Sequence, residues 1–141
     1  MNRSRYQSVN PRIALATAAL AGLWIVEYLV TIQSQRTELG SPDVVFPATF
    51  AGVMAALSAG AAVIRDRDIR LAQALLYAAA GGLLPAGVLG LASIGLPLIV
   101  AGLLALVAAG SRLIPLPLGV TAAVLSTSAF FVGVALTIRV S

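Results

Sequence analysis

The sequence predicts an all-α integral membrane protein, a polytopic bundle of closely packed helices. Three observations carry that prediction. Of the 141 residues, 60% are hydrophobic and only 10% charged, against roughly 45–50% and about 25% in ordinary soluble domains. A water-soluble fold with a mean hydropathy of +1.00 would lack the polar residues to cover its surface. The apolar residues also fall into runs close to the ~20 residues that a membrane helix requires. Short basic or Pro/Gly-rich segments separate those runs.

Residues 1–12, "MNRSRYQSVNPR", form a basic arm, and the rest of the chain reads as a single transmembrane domain. The first span is expected at about 13–32. Its apolar run exceeds the ~7–15 residues of a signal-peptide core and no small-residue cleavage site follows, so it reads as uncleaved. The second span is expected at about 44–64. Ser41, Pro42 and Asp43 precede it as cap, first-turn proline and dipole-favoured acid. Pro47 marks either a delayed start or a kink.

Between "RDRDIR" and Arg112 lies an uncharged stretch, 71–110. As one helix it would run about 60 Å, twice the hydrocarbon thickness, so it must fold back. Gly90, Ser93, Gly95 and Pro97 place the turn within "GLASIGLP". The third and fourth spans are then expected at about 71–91 and 95–110. Pro85 is expected to kink the third. After "RLIPLP" comes the last span, at about 118–138. Five spans result; a four-span alternative would lay residues 71–82 along the interface.

Arginine placement orients the chain. Arg3, Arg5 and Arg12 flank the first span, Arg65, Arg67 and Arg70 follow the second, and only Arg36 lies between them. The N-terminus is therefore expected in the cytoplasm, with the plasma (cytoplasmic) membrane as the location. Arg112 and Arg139 exchange sides between the five- and four-span readings, so the arginine rule cannot choose between them. Arg3, Arg5 and Arg12 are candidate contacts for anionic lipid head groups. The net charge of +4 is explained by this orientation, and no nucleic-acid partner is expected.

The strongest packing pattern is small residues at four-residue spacing: Ala48, Gly52, Ala56 and Gly60 in the second span, and Ala74, Ala78, Gly82, Ala86 and Gly90 in the third. Residues four apart share a helix face, and small ones let backbones approach where lipid supplies no hydrophobic drive. These ridges are expected to join the second and third spans, with an oligomer or partner interface as the alternative. "STS" at 126–128 is expected mainly to bond back to its own helix.

Composition excludes much chemistry. No cysteine or histidine is present, and all nine basic residues are arginine. Disulfides, thiolate nucleophiles, Cys/His zinc sites, imidazole bases and lysine Schiff bases are thereby removed. The two glutamates and three aspartates are too scattered for a carboxylate pair, and neither a P-loop nor GxGxxG occurs. No catalytic residue, metal ligand or cofactor is expected.

One polar candidate remains inside a span. Glu27, in "GLWIVEYLV", lies about 7 Å beyond the middle of the first span. Thr17, Trp24 and Thr31 interleave with Leu20, Glu27 and Ser34 in one stripe, expected to face other helices, while Tyr28 is expected off its edge. Glu27 has three readings: a group reaching the outer interface with no further role, a partner of Arg139 under five spans, or a proton or cation site. The expected function is non-catalytic: a structural or accessory subunit, or an oligomerising membrane component. Its expected partners are membrane lipids and other membrane subunits or copies of itself. The alternative is a small transporter or channel component with Glu27 as its ion-sensitive group.

Overall fold

A computed structural model describes residues 9–34, 42–90, 95–110 and 116–140, and among them every regular element is helical. The helices are α1 (Pro11–Ser34), α2 (Pro42–Ile64), α3 (Ile69–Leu89), α4 (Leu96–Ala109) and α5 (Leu116–Val140). Four of them are long and apolar enough to cross a membrane, and α4, at 14 residues, is a shorter apolar helix. Arg3, Arg5, Arg36, Glu38, Ser41 and Arg112 lie outside the described residues, as do 91–94 of "GLASIGLP" and 112–115 of "RLIPLP".

Local chemistry explains the helix ends. Asn10 starts α1: its Oδ1 accepts from the N–H groups of Arg12 at 3.1 Å and Ile13 at 3.4 Å, with Pro11 in the first helical position. Asp68 does the same for α3, accepting from Arg70 and Leu71 at 3.0 Å. The second aspartate of "RDRDIR" is thus the cap of α3. Arg65 and Asp66 form an ion pair at 3.4 Å on its exposed side. At the end of α4, Gly110 takes φ +64°, a conformation that glycine adopts without strain.

The prolines resolve simply. α2 begins at Pro42, so Pro47 lies inside the helix and marks no delayed start. Helix α3 runs through Pro85 without interruption. A proline has no N–H for the carbonyl four residues back, here Gly81. The hydroxyl of Thr127 on α5 supplies the missing donor, reaching Gly81 O at 2.6 Å. It also lies 2.9 Å from its own Ala123 O, so the "STS" segment bonds across helices as well as back to its own turn.

Residue pairings give each helix its direction. Gly90 meets Gly95, Gly87 meets Ile99 and Gly102 meets Leu84, so α4 returns antiparallel to α3. At the far end of that pair, Gln73 Nε2 donates to Ala109 O at 2.7 Å. Tyr77 meets Gly119 and Gly81 meets Ala123; both numbers rise together, so α5 runs parallel to α3. Helix α3 is the hub, packed on α2, α4 and α5, whereas α1 packs on α2 and α4.

The core is rich in alanine. One cluster gathers Ala14, Ala61, Leu76, Ala80 and Ala105, and a second gathers Ala21, Trp24, Met54, Leu83 and Leu98. The two small-residue ridges behave differently. In α3, Gly82 is buried, and a Cβ there would lie 2.6 Å from Met54 Sδ and 2.9 Å from Ser126 Oγ. In α2, Ala56 is exposed, while Cβ atoms at Gly52 and Gly60 would meet only ordinary contacts at 3.8 and 4.0 Å. The buried face of α2 is instead Val44, Ala51, Met54, Ser58 and Ala61. Helices α2 and α3 are neighbours, but the two ridges do not mesh.

Candidate functional site

Helix periodicity decides which side chains of α1 enter the bundle. Its buried track is Ala14, Thr17, Ala21 and Trp24. At 100° per residue, the position four after Trp24 is about 40° away and the position three after it about 60° away on the other side. Tyr28 therefore continues the track: it is half-buried, and its ring stacks on Trp24 with centroids 4.9 Å apart and planes at 11°. Glu27 falls outside and is exposed, as is Ser34. The expected stripe is thus split, with Thr17 and Trp24 inside and Glu27 outside, and Tyr28 and Glu27 exchange their expected places.

Glu27 and Arg139 are not brought together. Both are exposed, and among the described residues the ion pair formed is Arg65–Asp66. The reason is the packing order: α1 sits on α2 and α4, while α5 sits on α3 and only lightly on α2. Of the proposed head-group contacts, Arg12 is exposed at the start of α1.

The bundle does contain a cavity that the sequence reading did not single out. It encloses about 280 Å³ where the ends of α1, α3 and α5 meet the beginnings of α2 and α4. Trp24 and Tyr28 form one wall, and Phe46, Phe50 and Phe130 another. Those three rings pack together, Phe50 to Phe130 at 5.0 Å and Phe46 to Phe130 at 6.2 Å. Leu83, Leu89 and Leu98 complete the enclosure with small residues at Ala51, Ala86 and Gly90. Gly133 makes room for the aromatic wall, because a Cβ there would overlap the Phe46 ring. Among the described residues, no charged side chain lines the space.

Comparison with known families, curated proteins and solved structures finds no match to this chain. The site is therefore read from its own residues. A signal for the cavity exists in the sequence, since Trp24/Tyr28 and Phe46/Phe50 are aromatic pairs at four-residue spacing on consecutive helices. What it lacked was the partner, Phe130, whose position depends on where α5 docks.

A second polar feature lies at the other end. Gln73 is 2% exposed, and its amide caps the last carbonyl of α4. The Asn10 N–H meets the neighbouring Ala108 O at 3.3 Å. Together they satisfy carbonyls that a helix end otherwise leaves open. Gln73 Oε1 has no partner. Among the described residues, no group of acidic side chains could hold a metal ion.

Proposed function

We propose that this chain is a five-span protein of the cytoplasmic membrane, with a cytoplasmic N-terminus, that acts without catalysis as an accessory or oligomerising component. The observation that carries the reading is the exposure of Glu27 on the outside of α1. A charge near a bilayer centre costs about 2.5–3.5 kcal/mol on insertion scales, and somewhat less off-centre. Such groups usually face a bundle interior or a partner. Among the described residues Glu27 has neither. Around it the outer face of α1 offers Ala16, Ala19, Leu23, Val26 and Val30. A neighbouring helix bearing a hydrogen-bond donor, from another subunit or a second copy, would cover the carboxyl group.

The parallel course of α3 and α5 supports five crossings over four, because α4 must return between them. At about 21 Å, α4 is short of the ~30 Å hydrocarbon layer, a mismatch that local thinning accommodates. Transport through Glu27 draws no support from this geometry, since Glu27 is exposed and does not line the aromatic cavity.

Two measurements test the proposal. A reporter fused after Ser141 is expected on the side opposite the N-terminus; a cytoplasmic reporter overturns the five-span reading. Glu27→Gln is expected to shrink the complex extracted from native membranes, seen as a lower native mass with unchanged melting of the single chain. An unchanged complex together with loss of a proton- or cation-dependent flux would favour the transport alternative instead.

A further inference from the structure

We propose that the aromatic cavity is a docking site for the acyl tail of a membrane phospholipid. The proposal rests on the membrane reading above but concerns a different part of the molecule. Chemistry narrows the occupant first. Among the described residues, the lining side chains are aromatic and aliphatic, with no charge. An aromatic cage can hold a quaternary ammonium group, but a buried cation needs a counter-charge, and Glu27 faces outward. Water is disfavoured too, because it needs two to four polar partners and the lining is mostly apolar, with polar atoms confined largely to the Trp24 and Tyr28 rings. A neutral hydrocarbon is what remains.

Size and access then point to a chain held by its end. The cavity's volume of about 280 Å³ is nearly twice that of the ~150 Å³ apolar cavity that accepts benzene. One border of the cavity is the seam between α2 and α5, which touch only lightly and meet through Phe46, Phe50 and Phe130. On the outside of that seam lies a shallow, open depression lined by Val45, Phe46, Thr49 and Thr137. Phe46 borders both spaces, so its ring stands between the depression and the cavity. An apolar interior beside a surface depression edged with two threonines suits an amphiphile whose tail enters past the Phe46 ring.

The chain carries its own probe. Trp24 is the single tryptophan, 6% exposed, and lines the cavity. The purified full-length protein is reconstituted in phosphatidylcholine vesicles with or without bromine on the acyl tails. Bromine quenches indole fluorescence at short range, and a tail inside the cavity is expected to cost roughly half of the signal, beyond the quenching that bulk lipid gives the filling variants. Ala86→Leu, which fills the cavity from α3, is expected to restore most of the signal. Ala51→Leu fills it from α2 and serves if the first variant does not fold. Unquenched wild-type fluorescence, or equal quenching in a folded filling variant, overturns the proposal. So does quenching seen only with brominated free fatty acid in unbrominated vesicles, which would assign the site to a free chain. Alkaline extraction separates this from failure of the membrane reading. Protein that stays in the vesicles unquenched refutes the cavity alone, and protein that washes out refutes the membrane reading.

Discussion

Gly81→Leu is expected to separate α5 from the bundle and to lower stability by about 3 kcal/mol or more. A Cβ at Gly81 would lie 2.5 Å from Ala123 O and 2.6 Å from Ala123 Cα, both backbone atoms that no rotamer change can move. The helices would have to part by about 1 Å to reach ordinary contact. That displacement would also stretch the bond from Thr127 to Gly81 O, the carbonyl left open by Pro85. Thr127→Val isolates this second effect and is expected to cost about 1 kcal/mol, whereas Thr127→Ser should cost less. Gly22→Leu is the control, because a Cβ there meets nothing within 4 Å. Thermal unfolding in detergent, with limited proteolysis of α5, measures all four. Equal stability of the Gly81 and Gly22 variants would remove the close α3–α5 contact from the account.

Leu83→Ala is the second large effect, expected near 2 kcal/mol. Leu83 is fully buried between Trp24, Met54 and Leu98 and borders the aromatic cavity. Large-to-small core changes cost about 2–5 kcal/mol in water-soluble proteins, through a transfer part and a void part. Separated helices in lipid or detergent still surround leucine with hydrocarbon, so the void part dominates and the low end applies. Leu76→Ala is a matched case, equally buried but in the other cluster, where no lining of the cavity is involved. Both variants should melt earlier in detergent. Adding phosphatidylcholine should restore only the Leu83 variant, because a tail can enter the enlarged cavity. Equal rescue of both, measured as the shift in melting temperature, would detach the cavity from lipid.

Some of the site was legible and some was not, for reasons visible at single residues. Trp24 was recognisable as inward-facing, since it sits on the same seven-residue repeat as buried Thr17. Glu27 was misplaced because a seven-residue repeat drifts by about 20° each time on a straight helix. Near the end of α1 that drift favours Tyr28 over Glu27. The close contact at Gly81 also left a trace, in Gly119, Ala123 and Thr127 at four-residue spacing on α5. It could not be read as a contact with Gly81 because the parallel pairing of α3 and α5 skips a helix.

Sequence alone determined the all-helical, apolar class, the approximate bounds of each helix, the turn at "RDRD" and the fold-back near Gly90. These depend on backbone bonds and caps within a few residues, so local chemistry suffices. Tertiary structure decided which glycines let helices touch, that Glu27 faces out while Tyr28 faces in, that Arg139 stands apart from Glu27, and that five helices leave an aromatic cavity between them. Each of those depends on how residues far apart in the chain fit in shape, and in a bundle built mostly of alanine, leucine and valine many pairings look alike until the helices are docked.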